Sequence, residues 1–554
     1  MSDSPSRDRP RLSPVAPLAL VAGVVVAALA WLLPVNLKSV SPALLRAAGA
    51  NTPTLGAHGR DLVDGERIGP AALVLAAARV VDDPRVPALA EAVARFAEQQ
   101  PGLMAWGGWD PALDNLFNLR ATAGRSGSTP VLTFLVTVKA REAMRSALSQ
   151  SGSDGVQALL KLRRLERTGQ FVPAARPGGQ PLDSLLLLTG LLYQGQHLSP
   201  ALQREIRALA EAAWQQQELG PLEGVLIDLL SLGRRLDWMQ LTQLTRRSDS
   251  GKTLGEYAHL ARVAPAQLPL IYAAALFSDS ADQVATYLIK FGKAGLEDLT
   301  TALGLGQGAV RLLLARGVPI NRRTTPVITG TAELVLAHPQ VTVLLKYFGC
   351  LFGVWLVLRG LDRWLVLPGG LVELTATQGH IRAGLLATVF AFILVAAGEP
   401  MLLRAAPPSE FRLRLPVLLA TGDVLPKSSE PTHAMNDTST LLSIGLFAAL
   451  QVAMYFICLL KIRDVARQPV PPLVKLKLME NEENLFDGGL YVGIAGTATA
   501  LVLQVMRVIE PNLLAAYASN LFGIICVALV KIYHVRSFKR QLILEAQAEG
   551  RIAS

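Results

Sequence analysis

The stretches LYVGIAGTATALVLQVM at residues 490–506 and LLAAYASNLFGIICVALV at residues 513–530 decide the fold of this chain. Each approaches the roughly 20 apolar residues that a helix needs to cross a bilayer. The turn Glu510–Pro511–Asn512 separates them, so together they predict a transmembrane hairpin. Both stretches contain small and polar residues, which in a bilayer tend to face other helices or a water path. We therefore expect this hairpin to carry the function.

The small and polar residues recur at helical spacing, so on each helix they share one face. The first helix has Gly493, Gly496, Thr497, Ala500 and Gln504, and the second has Ala516, Asn520, Gly523 and Val527, with Ser519 beside them. Small residues let helices approach closely, and polar ones hydrogen-bond across the contact. Helix packing alone explains the pattern. The functional alternative is an ion or proton path along Thr497, Thr499, Gln504, Ser519 and Asn520.

The composition indicates a mixture of membrane and soluble parts. Hydrophobic residues make up 51% of the 554 residues, and the mean hydropathy is +0.36. That is too apolar for an ordinary soluble protein and too polar for a chain that is membrane throughout. The net charge is +10, but the positive residues are dispersed or flank apolar segments. This pattern is typical of membrane-flanking charge and argues against a nucleic-acid partner.

The cysteines and histidines predict neither disulfides nor a metal site, and no cofactor is expected. Cys350, Cys458 and Cys526 all lie in apolar segments. The seven histidines are scattered, with no pair at i and i+4. A disulfide framework or a zinc site needs paired spacings that are absent from the sequence.

Six apolar segments predict an all-α, polytopic membrane protein with about six spans. They are residues 17–33, 341–358, 383–403, 441–460, 490–506 and 513–530. Lysine and arginine concentrate on cytoplasmic flanks, and six spans place four basic clusters on one side: Arg7 to Arg11, Arg359 to Arg382, Lys461 to Arg467, and Lys531 to Arg540. Arg404, Arg412 and Arg414 are the exception to this rule, because six spans place them on the extracytoplasmic side. The expected location is a bacterial inner membrane, multi-pass, with a large periplasmic domain.

These segments divide the chain into seven parts. They are a cytoplasmic tail (1–14), a membrane anchor or signal peptide (15–35), an extracytoplasmic helical domain (36–338), a transmembrane helix pair (341–403), an extracytoplasmic loop (404–440), a three-helix membrane module (441–534) and a cytoplasmic tail (535–554). The first apolar segment has two interpretations. Ala28–Leu29–Ala30 suits a cleaved signal, whereas the apolar run that continues to Leu33 favours an uncleaved anchor.

The exported domain is predicted to be helical and solenoid-like. Ser199–Pro200 begins one helix, and Ser280 with Gln283 caps another that ends at Gly292. Similar short helices recur between glycines and prolines, although with no fixed repeat length. The β-branched residues 131–138 could form a strand.

No enzyme signature is present, and we expect no catalytic activity. Gly251–Lys252–Thr253 lacks the glycine of a phosphate-binding loop, because Arg246 occupies that position. The glycines at 304, 306 and 308 lack a preceding strand and predict a turn between helices. Trp106 and Trp109 could form a binding surface, but a packed cluster is the commoner meaning. The carboxylates beside span ends, Glu399 and Glu510, have no recognisable partner in the sequence.

Residues 440–554 resemble the MotA/TolQ/ExbB family of proton-channel proteins. Gly493–Ile494–Ala495–Gly496–Thr497 is similar to the family's glycine-threonine stretch, and Ala518–Ser519–Asn520–Leu521–Phe522–Gly523 to its small-polar stretch followed by glycine. The order also matches: a helix that enters from outside, a cytoplasmic segment, a hairpin and a charged cytoplasmic helix. Ser519–Asn520 replaces the family's usual threonine, the cytoplasmic segment is short, and the other membrane helices and the exported domain have no counterpart.

The resemblance implies an energy-coupling subunit of the inner membrane. Members of the family form a homo-oligomeric ring around single-span partners, and ion flow drives movement of the partner. The partner carries the ion-binding carboxylate, such as a membrane aspartate, and neither hairpin segment here contains Asp or Glu. The alternative function is a membrane-anchored helical scaffold for an exported-protein or envelope complex, without ion conduction.

Overall fold

Helices form the whole of the described secondary structure apart from turns and two isolated bridges. The computed structural model describes residues 15–121, 127–322, 330–365, 376–399, 438–505 and 513–548. The bridges join Val40 to Ile320 and Arg167 to Glu218, and no strand occurs in these ranges. The all-α fold class is therefore confirmed. The chain divides into two compact units, one of residues 40–322 and one that combines residues up to 39 with the helices after 330.

The helices up to residue 322 are mostly short. In chain order they are α1 (Val15–Trp31), α2 (Pro42–Gly49), α3 (Leu55–Asp64), α4 (Ile68–Val80), α5 (Val86–Gln99), α6 (Pro101–Trp106), α7 (Pro111–Phe117), α8 (Val131–Leu135), α9 (Val138–Ser149), α10 (Asp154–Lys161), α11 (Gln180–Gln194), α12 (Pro200–Gln216), α13 (Pro221–Gly233), α14 (Trp238–Thr245), α15 (Gly251–Val263), α16 (Leu268–Ser278), α17 (Ala281–Leu305) and α18 (Gln307–Arg316).

The helices after residue 330 include the longest of the chain. They are α19 (Thr331–Ala337), α20 (Pro339–Leu365), α21 (Ala376–Gly398), α22 (Thr438–Arg467), α23 (Pro472–Asn481), α24 (Glu483–Phe486), α25 (Gly488–Val505), α26 (Leu513–Leu529) and α27 (Arg536–Ala548). A π-helical segment, Val530–Val535, joins α26 to α27. Each of the six predicted apolar segments thus contains a helix, although α21 ends at Gly398, before residue 403.

In the unit of residues 40–322, α16 is apolar on every side and lies in the core. It packs against α4, α17 and α18, and α4 also contacts α14. Helices far apart in sequence meet here, since α2 packs against α18 and Val40 N donates to Pro319 O at 2.9 Å. Solenoid repeats contact mainly their neighbours. The solenoid-like arrangement is therefore not confirmed.

Local signals placed several helix ends correctly in this unit. The Ser199 and Ser280 side chains cap α12 and α17 by accepting from Leu202 N and Gln283 N. Gly292, with a φ of 55° and a ψ of −133°, is not helical, so the helix that Ser280 begins ends there as predicted. A second helix follows this kink and completes α17 to Leu305. Residues 131–138 are not a strand, because Val131–Leu135 forms α8 with Val131, Leu132 and Leu135 buried. Tertiary burial of these apolar side chains overrides their β-propensity.

In the other unit, α1 packs along α20. The two backbones approach at Gly23 and Gly353, where a Cβ on Gly23 would lie 2.7 Å from Gly353 O and one on Gly353 would lie 2.6 Å from Ala27 N. Glycine at both positions permits this crossing, as in other close helix pairs of membrane proteins.

Two described stretches, Pro339–Leu361 and Ser519–Gln547, are long and apolar enough to span a membrane. A third would arise only if α15 and α16, bent by 115°, formed one broken span. The protein is thus helical with two possible spans, and the figure of about six spans is not confirmed.

Candidate functional site

The hairpin helices α25 and α26 are in direct backbone contact at their glycines. A Cβ on Gly493 would lie 3.0 Å from Ser519 O, and one on Gly523 only 2.6 Å from Gly489 O. A Cβ on Gly496 would lie 2.3 Å from Ser519 Oγ. The small residues of the two predicted faces therefore meet, and any larger side chain at these glycines would force the helices apart.

One carbonyl oxygen organises the hydroxyl groups of this contact. Gly493 O accepts from Ser519 Oγ on the opposite helix at 3.2 Å and from Thr497 Oγ1 on its own helix at 3.0 Å. Ser519 is fully buried, whereas Thr497 is half-buried. Both hydroxyls thus satisfy helix backbone inside the hairpin, and this is how packing residues in membrane helices behave.

A third helix, α22, completes the bundle through Gln451. Its Nε2 donates to Gly489 O at 3.0 Å, and its own backbone oxygen accepts from Cys526 Sγ at 3.5 Å. Gln451 is only 4% exposed. Sequence reasoning missed this residue, although an amide in the middle of the apolar run 441–460 was a usable signal, because polar groups are costly there.

Two amide oxygens in this bundle have no hydrogen-bond donor within the described part of the chain. They are Gln451 Oε1 and Asn520 Oδ1, and both are shielded from solvent. Gln451 is held in this orientation because its Nε2 already serves Gly489 O. An unpaired buried acceptor costs about 1–3 kcal/mol. Each oxygen can therefore accept from a donor beyond the described residues, such as a protonated carboxyl group, or contact a cation.

The structure brings together six of the ten residues that the sequence singled out: Gly493, Gly496, Thr497, Ser519, Asn520 and Gly523. The side chains of the other four, Thr499, Ala500, Gln504 and Ala516, lie outside the described residues.

After the apolar part of the hairpin, ion pairs join the π-helical segment and α22 to the segment that links α22 with α25. Lys531 Nζ lies 2.8 Å from Asp487 and 3.8 Å from Glu483, and Lys461 pairs with Glu482 at 3.0 Å. Tyr455 OH and His534 Nε2 are 2.8 Å apart. The apolar side chains of Cys458, Met479, Phe486 and Val530 pack between these groups. The module thus continues past the apolar segments as one packed body.

A second polar cluster lies where α1, α20 and α21 meet. Glu399 Oε1 lies 3.5 Å from Lys346 Nζ and accepts from Tyr347 OH, while Glu399 Oε2 accepts from Leu37 N at 2.9 Å. Lys346 also donates to Asn36 Oδ1 at 2.9 Å. The sequence-based view that Glu399 has no partner was therefore wrong. Glu510 lies outside the described residues.

The unit of residues 40–322 contains a buried pair of a histidine and an aspartate, His197 and Asp110. His197 Nδ1 lies 2.8 Å from an Arg246 nitrogen, and His197 Nε2 lies 2.9 Å from Asp110 Oδ2. Arginine can only donate, so Nδ1 accepts and Nε2 carries the proton towards Asp110. Burial by itself would raise the pKa of Asp110, but hydrogen bonds from His197 and from the backbone of Leu113 hold this pKa below its usual value. No nucleophile accompanies this pair in the described residues, and its geometry is that of a structural link.

Asp237 is the most perturbed carboxyl group of this unit. Burial raises its pKa to about 7, although Ser128 Oγ donates to it at 2.6 Å and Gln240 N at 2.8 Å. Gly69 and Gly107 enclose it so closely that a Cβ on either would fall 2.2 Å from the carboxyl group.

The two tryptophans before α7, Trp106 and Trp109, differ in their exposure to solvent. Trp106 is buried and stacks on Phe134, whereas Trp109 is 38% exposed and donates to Asp114. Trp106 is thus part of a packed cluster.

The predicted turn at 304–308 is present, with Gly306 at a φ of 116° between α17 and α18. Within the described ranges, no three His, Cys, Asp or Glu residues are placed to hold a metal ion.

Comparison with known proteins gives no relative: no protein-family model matches the chain, and neither a curated protein nor a solved structure is significantly similar to it.

Proposed function

We propose that this protein is an ion-conducting, energy-coupling subunit of a bacterial inner membrane, similar in its last three membrane helices to the MotA/TolQ/ExbB proteins. In this proposal the chain spans the membrane about six times, carries a large periplasmic domain, and assembles as a homo-oligomer around a single-span partner. The partner contributes the carboxylate that carries the ion, and ion passage moves the partner.

The observation that carries the proposal is the pair of unpaired amide oxygens, Gln451 Oε1 and Asn520 Oδ1. A helix contact that served packing alone would gain stability from an apolar side chain at either position, because each oxygen is desolvated without a donor. A partner helix with a protonated aspartate offers the missing donor. The order of α22, α23, α24 and the α25–α26 hairpin also supports the family resemblance.

Ion flux measured on single variants tests the proposal. Asn520→Leu removes one unpaired oxygen, and Gln451→Leu removes the other together with the Nε2 donor to Gly489 O. We expect each variant to have at least a tenfold lower flux with unchanged oligomer size. The measurement is proton entry into dye-loaded vesicles that contain the chain and its co-purified single-span partner. Thr388→Val on α21 is the matched control, since it removes an exposed hydroxyl that bonds only its own helix at Gly384 O. Wild-type flux in both amide variants would refute the assignment.

One observation favours a second function, a membrane-anchored scaffold for exported or envelope proteins. Both hydroxyls of the hairpin contact, those of Thr497 and Ser519, are bound to Gly493 O and are therefore engaged in packing. A scaffold predicts no flux in the wild-type protein, and Ser519→Ala would then lower oligomer stability while every transport measurement stays at background.

A further inference from the structure

A cavity of about 570 Å³ lies at the base of the three-helix module, lined by α24, the π-helical segment and α27. Its size falls within the roughly 300–1,000 Å³ that is usual for small-molecule sites. It is separate from the polar contact of the hairpin, and its residues play no part in the ion path proposed above.

The lining of this cavity is strongly basic. Lys531, Arg536, Lys539 and Arg540 line it, and Glu483 is the only carboxylate among the described residues of its lining. Lys531 is already paired with Asp487 at 2.8 Å. The other three cations have no carboxylate within ion-pair distance among the described residues. The cavity therefore has an excess of positive charge that an anionic ligand would complement.

The rest of the lining is apolar, which distinguishes an amphipathic ligand from a simple anion. Phe486 is buried at the cavity wall. Ile543 and Leu544 also line the cavity and remain 40% and 57% exposed. A free phosphate ion would gain nothing from these three side chains. A ligand that joins a phosphate to hydrocarbon would use both parts of the lining.

The position along the chain fits such a ligand. The cavity is formed by the continuation of α26 beyond its apolar run, within the candidate span Ser519–Gln547. Basic residues directly after a membrane helix lie at the depth of the lipid headgroups, where they attract anionic lipids.

We propose that this cavity binds the headgroup of an anionic phospholipid. Arg536, Lys539 and Arg540 hold the phosphate, and Ile543 and Leu544 contact the upper methylene groups of its chains. The site ties the end of the module to the membrane surface, and it does not depend on whether the module conducts ions.

Native mass spectrometry of the full-length protein tests the site with two defined lipids, phosphatidylglycerol and zwitterionic phosphatidylcholine. The wild type should retain phosphatidylglycerol in preference to phosphatidylcholine. The triple variant Arg536→Gln/Lys539→Gln/Arg540→Gln should reduce this preference at least about tenfold, since it removes the three cations whose charge-assisted hydrogen bonds hold the phosphate. The matched control is Arg463→Gln/Arg467→Gln/Lys477→Gln, which removes the same charge from exposed residues outside the cavity and should keep the preference.

Two further measurements distinguish binding of a lipid from binding of other anions. Millimolar inorganic phosphate should leave the bound phosphatidylglycerol in place, and Ile543→Ser/Leu544→Ser should weaken its retention. The proposal is overturned if the wild type shows no preference, if the two triple variants behave alike, or if inorganic phosphate displaces the lipid. Equal circular dichroism spectra for all variants show that a loss of lipid is not a loss of fold.

Discussion

Asp237 shows how a single residue can be both a helix cap and a source of pH dependence. It begins α14 in a capping box with Gln240, whose side chain accepts from the Asp237 backbone. Gly69 and Gly107 close over the carboxyl group and exclude water. Desolvation disfavours the charged form, so the carboxyl group keeps its proton near neutral pH.

This residue predicts a loss of stability as the pH rises. The pKa of Asp237 is about 7 in the folded state and 3.8 in the unfolded chain, so the folded state binds more protons between these values. Its contribution is complete below pH 4 and is lost as the pH rises through 7. The unfolding free energy of wild type relative to Asp237→Asn should fall by about 4 kcal/mol at most over that range.

Chemical denaturation of both proteins at several pH values between 4 and 8 measures this difference. Asn keeps the cap, because its Oδ1 can accept from Gln240 N, and its amide nitrogen can donate to Ser128 Oγ. It does not titrate. Groups common to both proteins cancel in the comparison. A pH-independent difference between the two would show that Asp237 titrates normally.

Lys346 and Glu399 form a buried ion pair, with side chains 8% and 3% exposed. Breaking such a pair leaves one buried charge without compensation, typically at 3–5 kcal/mol. Glu399→Gln should therefore destabilise the protein strongly, and Lys346→Met added to it should restore most of the loss. Thermal unfolding in detergent measures both.

The half-exposed pair Lys461–Glu482 supplies the control for this prediction. Glu482→Gln makes the same change in a solvated pair, which is worth at most about 1 kcal/mol. If Glu399→Gln proved no more damaging than Glu482→Gln, the Lys346–Glu399 pair would not be desolvated in the folded protein.

At the scale of elements, glycine decides how closely two helices approach. The pairs α1–α20 and α25–α26 both cross at glycines, and in each a Cβ would enter the partner backbone. Such close backbone contacts increase the van der Waals packing between the two helices of each pair. The length and apolar content of the sequence segments predict where these helices form. The glycines determine how closely the helices pack against each other.

Gly523→Ala should separate the hairpin helices. The added Cβ would lie 2.6 Å from Gly489 O, so the backbone must move, and overpacking of this kind costs about 1–3 kcal/mol. The expected result is a lower unfolding midpoint in detergent. Gly384→Ala on α21 is the control, because its nearest neighbour, Trp355 Cδ1, would be 4.0 Å away. Alanine favours helix there, and a drop as large as that of Gly523→Ala would contradict the packing explanation.

At the scale of the whole molecule, the unit of residues 40–322 has its own core. Its two ends are joined by backbone hydrogen bonds of Val40 with Pro319 and Asn321. It contains no cysteine. We expect this fragment to fold without the rest of the chain, because its residues form a compact unit with a buried core of their own.

Far-ultraviolet circular dichroism of the purified fragment tests independent folding. The spectrum should be strongly helical and should not change with dithiothreitol or EDTA. A mainly β spectrum, or loss of helix on chelation, would contradict the fold and the expected absence of a metal. The full-length chain in detergent, treated with the same reagents, is the reference.

The sequence by itself determined the helical class, the apolar segments, the capped starts of α12 and α17, and the glycine-rich faces of the hairpin. These features depend on residues within about one or two helical turns, where spacing and capping chemistry act locally. For the same reason it located Gly493, Thr497, Ser519 and Asn520 as members of one site.

Only the tertiary structure decided which residues contact each other when they lie far apart in the sequence. The pairing of Lys346 with Glu399, the contact of Gln451 with Gly489, and the burial that makes residues 131–135 helical all depend on packing between separate helices. Such contacts have no local spacing to reveal them, because the helices that carry the two partners are brought together by the energy of the whole fold rather than by the sequence near either residue.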